Sequence, residues 1–492
     1  MIAGELAALL RRAQEHLAQG RLAEAEHAYL EAVAVRADIA EVHFNLGIVR
    51  HGLGRFAPAI ESHQRALELK PQFPEAHGSI GSAFAALGRW DEASAAFERA
   101  LAQRPAYADA HSNLGLIHEE RGRLDEARAS FERALAIDPR HGEAIHNLGF
   151  LLDAAGRTDE AMALYRRALE ADPRMARAAY SLGLAHLRRH EFAQGWELAE
   201  ARFDTVPPMT PRRALALPQL TAAELGRGHR VAIWPEQGVG DQLVHATLLP
   251  ELEARGQDFV IEVDARLAAA FRRAHPRWSV VTAAESAAAF ASCDRQIAAG
   301  SLARWLRPSL ASFAAQPRAL LAADTPRARQ YRDRLGEGPA AGISWRSFQA
   351  RTRARVARDK SAPLAAFGRL ARTHRLLDLQ YGDTAAERAA FAQRGGQIEH
   401  FDDLDLFNDL DGVLAAIEAC DVVVSTSSVT AHLAGALGKR TLLVHLGPPP
   451  FHYWAAGSDG RSLWYPSVEV VPGAGLESWE QALERADGLL GR

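Results

Sequence analysis

Gly47, Gly81, Gly115, Gly149 and Gly183 stand 34 residues apart, each directly after an apolar residue: Leu46, Ile80, Leu114, Leu148, Leu182. Further ladders keep the same phase. They are Ala25, Ala59, Ala93, Ala127 and Ala161; Tyr29, His63, Phe97, Phe131 and Tyr165; and Ala32, Ala66, Ala100, Ala134 and Ala168. Pro71, Pro105, Pro139 and Pro173 follow the last of these, and Gly20, Gly54, Gly88, Gly122 and Gly156 mark turns in step. A period of this length is one supersecondary unit repeated, each copy burying its apolar face on the next. Glycine and alanine let two antiparallel helices approach closely, the aromatic fills the remaining gap, and proline stops the chain between copies. His63 departs from the aromatic ladder, and the first copy lacks the proline.

This pattern resembles the tetratricopeptide family over residues 6 to about 203, with Ala176–Phe203 starting a sixth, capping unit. The resemblance implies an all-α solenoid whose concave face holds another polypeptide. Asn45, Asn113 and Asn147 share one equivalent position on the first helix of their repeats, with Ser79 and Ser181 in the others. The family resemblance puts that position on the inner groove, as in the similar asparagine ladders of the O-GlcNAc transferases. Amides there can bond a partner's backbone without reading its side chains. Asparagine also tolerates any half-exposed helix face.

At 492 residues the chain is too long for one ordinary domain. Residues 204–218 hold four prolines and no helical period, which marks a boundary. The expected division is a solenoid of about five repeats plus cap at 1–205, a linker at 206–228, and two α/β halves at 229–335 and 336–492. In the first half, strands are expected at Arg230–Trp234, Phe259–Val263, Ser279–Thr282 and Asp294–Ala298, with a helix over Gln242–Arg255. In the second, strands are expected at Ala340–Trp345, Leu376–Gln380, Val422–Ser425 and Thr441–His445, with a closing helix over Ser478–Leu490.

The stretches EQGVGDQLVHATLLPEL and VVVSTSSVTAHLAGALGKRTLLVH resemble the first loop and the donor-binding loop of heptosyltransferase-like glycosyltransferases. With GISWRS and LLDLQYGD they are similar to bacterial proteins that join repeats to such a domain, among them enzymes that glycosylate flagellin. The resemblance implies a GT-B fold, two doubly wound Rossmann-like halves facing across a cleft, and transfer from a nucleotide-sugar donor with no separate cofactor. It carries a catalytic aspartate onto Asp241, which would take the acceptor proton in an inverting transfer; a helix cap is the plainer role for the same residue. Gly238 and Gly240 allow a tight turn or close ligand approach. Ser344, Arg346, Lys360, Gln380, Ser425, Thr426, Ser427, Ser428, Thr430 and His432 are the candidates for donor contacts, around a helix start suited to phosphate. Lys360 follows the basic run Arg351, Arg353, Arg355 and Arg358, which a solvated loop would also explain. Where some heptosyltransferases carry Asp-Thr-Gly, this chain has Ser427-Ser428-Val429, which argues against heptose as the sugar.

The net charge of −4 gives no reason to expect nucleic acid or anionic membrane as partner. Two cysteines, Cys293 and Cys420, exclude a disulfide framework and a cysteine zinc site. No clustered metal ligands, signal peptide or long uncharged apolar run is evident, so a cytoplasmic, metal-independent protein glycosyltransferase is expected, with flagellin a candidate acceptor. The alternative from another class is a non-catalytic scaffold with a degenerate GT-B domain.

Overall fold

A computed structural model describes residues 2–347, 361–446, 454–471 and 478–490. Lys360 and the basic run before it lie outside the described residues. The chain forms two compact units, Met1–Met175 and Ala176–Arg492.

The first unit is five antiparallel helix pairs: α1 (Ile2–Ala18) with α2 (Leu22–Val35), α3 (Ala40–Gly52) with α4 (Phe56–Leu69), α5 (Pro74–Ala86) with α6 (Trp90–Gln103), α7 (Ala108–Glu120) with α8 (Leu124–Ile137), and α9 (Gly142–Ala154) with α10 (Thr158–Ala171). The ladders meet inside each pair. A Cβ built on Gly81 would lie 2.8 Å from Phe97 Cζ, on Gly115 2.4 Å from Phe131 Cε1, and on Gly149 2.9 Å from Tyr165 Cε1. Each glycine is therefore the floor on which the aromatic of the second helix rests. The turn glycines have φ between 71° and 81°, the left-handed region open to glycine at little cost. The first helices of successive repeats, α3, α5, α7 and α9, also touch one another and line a common face.

His63 takes the aromatic's place over Gly47, whose Cβ would lie 2.5 Å from its ring. It is fully buried, tilted against Phe44 at 5.3 Å, and neither ring nitrogen has a partner among the described residues. Burial, with a smaller push from His51, brings its pKa down to about 4. The imidazole serves as a neutral ring, which explains why the ladder tolerates it.

The second unit opens on a sixth pair, α11 (Ala176–Arg188) and α12 (Phe192–Ala199). Here Ala199 replaces the aromatic, and Gly183 meets backbone instead: its Cβ would lie 2.8 Å from Ala199 N. The sequence assigns this pair to the solenoid, whereas the compact units divide at Met175/Ala176. The reason is tertiary. Trp196 Nε1 donates to Arg307 O at 2.8 Å, Phe192 packs on Phe313 at 4.9 Å, and Trp196 meets Trp464 edge-on at 6.0 Å.

Two wholly parallel sheets follow. The first has the order β3-β2-β1-β4, from β1 (Arg230–Trp234), β2 (Asp258–Glu262), β3 (Ser279–Val281) and β4 (Arg295–Ala298). The second has the order β6-β5-β7-β8-β9, from β5 (Ala340–Ser344), β6 (Arg375–Asp378), β7 (Val422–Ser425), β8 (Thr441–Val444) and β9 (Val468–Val471). Alternate residues of each strand enter different apolar clusters, so both faces of each sheet are covered. One cluster runs from Leu187 and Trp196 through both sheets to Val470.

The 206–228 linker is tied to the first sheet: Gln296 of β4 donates its backbone N–H to Pro218 O at 2.9 Å and its side-chain amide to Leu215 O and Leu217 O, while Leu220 N donates back to Gln296 O at 2.9 Å. The helix expected at Gln242–Arg255 is two, Val239–Ala246 and Leu249–Ala254, because Pro250 has no N–H to continue the first. The strand β9 was not expected.

The fold has two measurable consequences. Below pH about 6.5 an unfolded His63 takes a proton that the folded site refuses until about pH 4, so its contribution to stability is present at neutral pH and lost across that window. Replacing His63 by Phe should therefore widen the variant's stability advantage by about 2–3 kcal/mol between pH 7 and pH 4 in urea titrations; a gap independent of pH contradicts this. The fragment 176–492 should be soluble and melt cooperatively, whereas 206–492, stripped of Phe192, Trp196 and Arg202, should aggregate or melt at least several degrees lower, as read by calorimetry.

Candidate functional site

In open parallel sheets, ligands sit beyond the carboxyl ends of the strands, where the strand order reverses. In the first sheet that point lies between β1 and β4, and in the second between β5 and β7.

Beyond β1 the chain runs Pro235-Glu236-Gln237-Gly238 into the helix Val239–Ala246. Glu236, 3 % exposed, accepts from Gly300 N after β4 at 2.9 Å and receives a two-pronged contact from Arg202, Nε at 2.5 Å and Nη2 at 2.9 Å. Arg202 lies just past α12, and also donates to Ser301 Oγ, Glu200 Oε1 and Ala199 O. Burial opposes both charges, yet their pairing prevails: Glu236 is held below its ordinary pKa and Arg202 above. Gln237 sits at φ 47°, a left-handed conformation rare for a residue with a Cβ, and its amide reaches Thr210 Oγ1 at 3.4 Å. The turn is thus strapped on both sides by residues preceding the sheet.

Asp241 is the third residue of the helix rather than its cap. Its Oδ2 accepts from Gly238 N at 3.2 Å, the reciprocal half of a capping box. One helical turn on, His245 packs against Gly300, with no hydrogen-bond partner for Nδ1 among the described residues, and burial brings its pKa down to about 4 against the pull of Glu236. Tyr180 of α11 shares this field. Its pKa is pushed up to about 12, first by burial, with Asp241 and Glu236 adding to the rise and Arg202 opposing it. Sequence reasoning missed Arg202, Glu236, His245 and Tyr180. The four-residue spacing of Asp241 and His245 on one helix face was the one signal available for any of them.

Around β5 and β7 the predicted donor residues converge. Ser344 Oγ lies 3.2 Å from Gln380 Oε1 and 3.3 Å from Ser428 Oγ, which is 3.0 Å from Ser425 Oγ. Gln380 Oε1 also accepts from the backbone N–H of Trp345 and of Arg346, at 3.0 and 2.8 Å. Ser427 Oγ accepts from Trp454 Nε1 at 2.9 Å, and Thr430 Oγ1 donates to Leu379 O at 3.2 Å. Thr426, 1 % exposed, keeps its hydroxyl unpartnered among the described residues. Arg346 is engaged by Glu387 Oε2 at 3.0 Å and by Asp383 O.

The two ends meet. The helix Val429–Leu437 starts after Ser428, and its His432 lies under Gly240: a Cβ there would be 2.8 Å from His432 Cδ2. His432 in turn lies 4.5 Å from the Trp454 ring and 3.3 Å, Nδ1 to Oη, from Tyr465. Gly240 therefore allows the helix that follows β1, which carries Asp241, to abut the helix that follows β7.

In the first unit, Asn45 and Asn113 are half-buried on α3 and α7, and Asn113 and Ser79 line one cavity of the groove face. Asn147 is 3 % exposed, with His146 Nδ1 3.3 Å from its Oδ1, so it offers less to a partner than the other two. Both cysteines are buried and free, and burial pushes Cys420 up to about 12. Among the described residues, no group of three or more His, Cys, Asp or Glu could hold a metal ion, and no helix is long and apolar enough to cross a membrane.

Residues 10–74 and 79–141 match one tetratricopeptide repeat family model and residues 119–187 a second, so the N-terminal repeats are tetratricopeptide repeats. Protein FlbA of Caulobacter vibrioides is 31 % identical over 314 residues, an alignment covering 59 % of this chain and 51 % of FlbA. The chain thus spans about half the length of this curated relative. Among solved structures, MamA is 28 % identical with a TM-score of 0.29, covering 33 % of this chain and 94 % of its own. A thermophilic tetratricopeptide protein of Thermus thermophilus is 26 % identical with a TM-score of 0.34, covering 37 % and 99 %.

Gly240→Ala should lower the melting temperature, by overpacking worth about 1–3 kcal/mol, because His432 is confined by Trp454 and Tyr465. In a His432→Ala background the same change should cost little. Equal costs in both backgrounds would place the strain elsewhere.

Proposed function

We propose that the chain is a GT-B glycosyltransferase that moves a sugar from a nucleotide-activated donor to a polypeptide held by the tetratricopeptide repeats. The observation that carries this reading is the abutment of Gly240 and His432, which packs the helix carrying Asp241 against the helix that begins after Ser428, at the carboxyl ends of two parallel sheets. Ligands of such sheets belong at these loops. The start of the helix Val429–Leu437 and the unpartnered Thr426 hydroxyl suit a diphosphate. Lys360 and Arg346 are the cations that the sequence resemblance offers to the same group, and flagellin is the acceptor it points to. The inferred setting is the cytoplasm.

In the inferred reaction, the acceptor hydroxyl attacks the anomeric carbon from the face opposite the diphosphate. The bond between that carbon and the diphosphate oxygen breaks, and the diphosphate leaves with the electron pair. Asp241 takes the hydroxyl proton. Helix N–H groups and cations meet the charge that develops on the leaving oxygen.

A second reading, a non-catalytic scaffold, is favoured by one feature: Ser344, Ser425 and Ser428 bond one another, and Arg346 is already paired with Glu387. Nucleotide release from a panel of sugar nucleotides, with and without acceptor protein, separates the two. The transferase reading expects release from at least one donor, stimulated by acceptor. It further expects Asp241→Asn to fold normally, since the amide oxygen can still cap Gly238, and to lose about 10²–10⁴-fold in turnover with nucleotide affinity unchanged. Silence across the panel, or undiminished turnover in the variant, would count for the scaffold or against Asp241.

A further inference from the structure

The first helices of repeats two to six carry, one residue before the asparagine ladder, Phe44, Gly78, Ser112, His146 and Tyr180. In the second repeat this position is filled: the Phe44 ring lies 4.7 Å from Phe73, the residue just ahead of the next first helix. One repeat further on, the corresponding pair is Gly78 and Tyr107. The Tyr107 ring stands directly against Gly78: a Cβ built there would lie 3.3 Å from the Tyr107 Cε1 and hydroxyl, and beside the two residues opens a cavity of about 230 Å³ that both line.

The walls of this cavity have a definite chemistry. Ser79, Asn113 and Asp109 supply oxygen acceptors, and Phe97 and Tyr107 supply ring faces. The Asp109 side chain is 67 % exposed, and its partner among the described residues is the imidazole of His141, Nε2 to Oδ1 at 2.9 Å. The nearby cation, Arg104, lies over the Tyr107 ring at 4.6 Å and is engaged by Glu75. The Tyr107 phenol reports the local field: its pKa is raised first by burial, then by Asp109 and Glu75, with Arg104 opposing.

We propose that the cavity beside Gly78 is a side-chain pocket for one basic residue, arginine or lysine, of the polypeptide lying in the groove. This rests on the reading that the repeats hold a polypeptide, and adds what they select. The volume suits one long side chain. Its apolar stem lies along the aromatic faces, where a cation is also favoured. Its charged end reaches the Asp109 carboxylate, with Asn113 and Ser79 as further acceptors. An acidic side chain would meet the Asp109 carboxylate, and an aliphatic one would make no use of the polar wall groups.

The test uses the full chain on an immobilised library of random short peptides, with Gly78→Phe and Asp109→Asn as variants. Gly78→Phe copies the Phe44–Phe73 arrangement one repeat earlier and fills the pocket. Asp109→Asn removes the charge at an exposed position and keeps the test available if the first variant does not fold; melting curves show which variants do. The expected result is enrichment of Arg or Lys at one peptide position by about tenfold, lost in both folded variants, with binding of non-basic peptides unchanged. Peptides that bind without a basic preference, or a preference that survives in a folded Gly78→Phe variant, would overturn the pocket alone. If no peptide binds at all, the reading of the repeats as a polypeptide holder falls, and the pocket with it.

Discussion

Where the strand order of the first sheet reverses, the Glu236 carboxylate, its side chain 1 % exposed, faces the Arg202 guanidinium, 9 % exposed. Withdrawing two such charges from water costs several kcal/mol each, and only a geometry that fills their hydrogen-bonding capacity repays that cost. Arg202 has it: two contacts to Glu236, one each to Ser301, Glu200 and a backbone carbonyl. Glu236 adds Gly300 N–H. Through this one pair the end of the last helical repeat, the turn after β1 and the loop after β4 become mutually dependent. The turn it holds contains the left-handed Gln237 and leads, through Gly238, to Asp241. Whatever Asp241 does, it does from a position set by a residue of the repeat region.

That dependence explains why the compact unit begins at Ala176 rather than after the proline-rich stretch. The sixth helical pair keeps the repeat's period but changes its function in the fold. Its second helix is eight residues long, it has Ala199 where the aromatic stood, and it turns Phe192 and Trp196 toward Phe313 and Trp464. The turn position held by glycine in the other repeats is His190, at φ 62°. The period survives where the packing it once served has been replaced.

The repeats were legible because their packing is local: Gly81 and Phe97, or Gly115 and Phe131, are separated by half a period and recur. The strands β1 to β8 were legible as short apolar runs, to within one or two residues, whereas β9 was not. The hydroxyl cluster could be read as well, since Ser425–Ser428 and Ser344 end predicted strands. The Arg202–Glu236 strap could not, because nothing in an isolated arginine and glutamate 34 residues apart separates a buried pair from two solvated side chains. The same holds for the pinning of residues 215–220 to β4, which depends on the Gln296 side chain. The groove cavity was also hidden, since Gly78 matters only by contrast with Phe44 against Phe73.

The most direct test of this account is a double-mutant cycle on the full chain with Arg202→Met, Glu236→Gln and both together, read by chemical denaturation of the sheet-containing unit. If the pair holds the turn after β1, each single change leaves its partner buried and unpaired. Each should then cost about 3–5 kcal/mol, while the double variant costs far less than their sum, with a coupling of at least about 2 kcal/mol. Single changes that cost little, or costs that simply add, would mean that the two charges do not depend on each other and that the turn carrying Asp241 is held by something else.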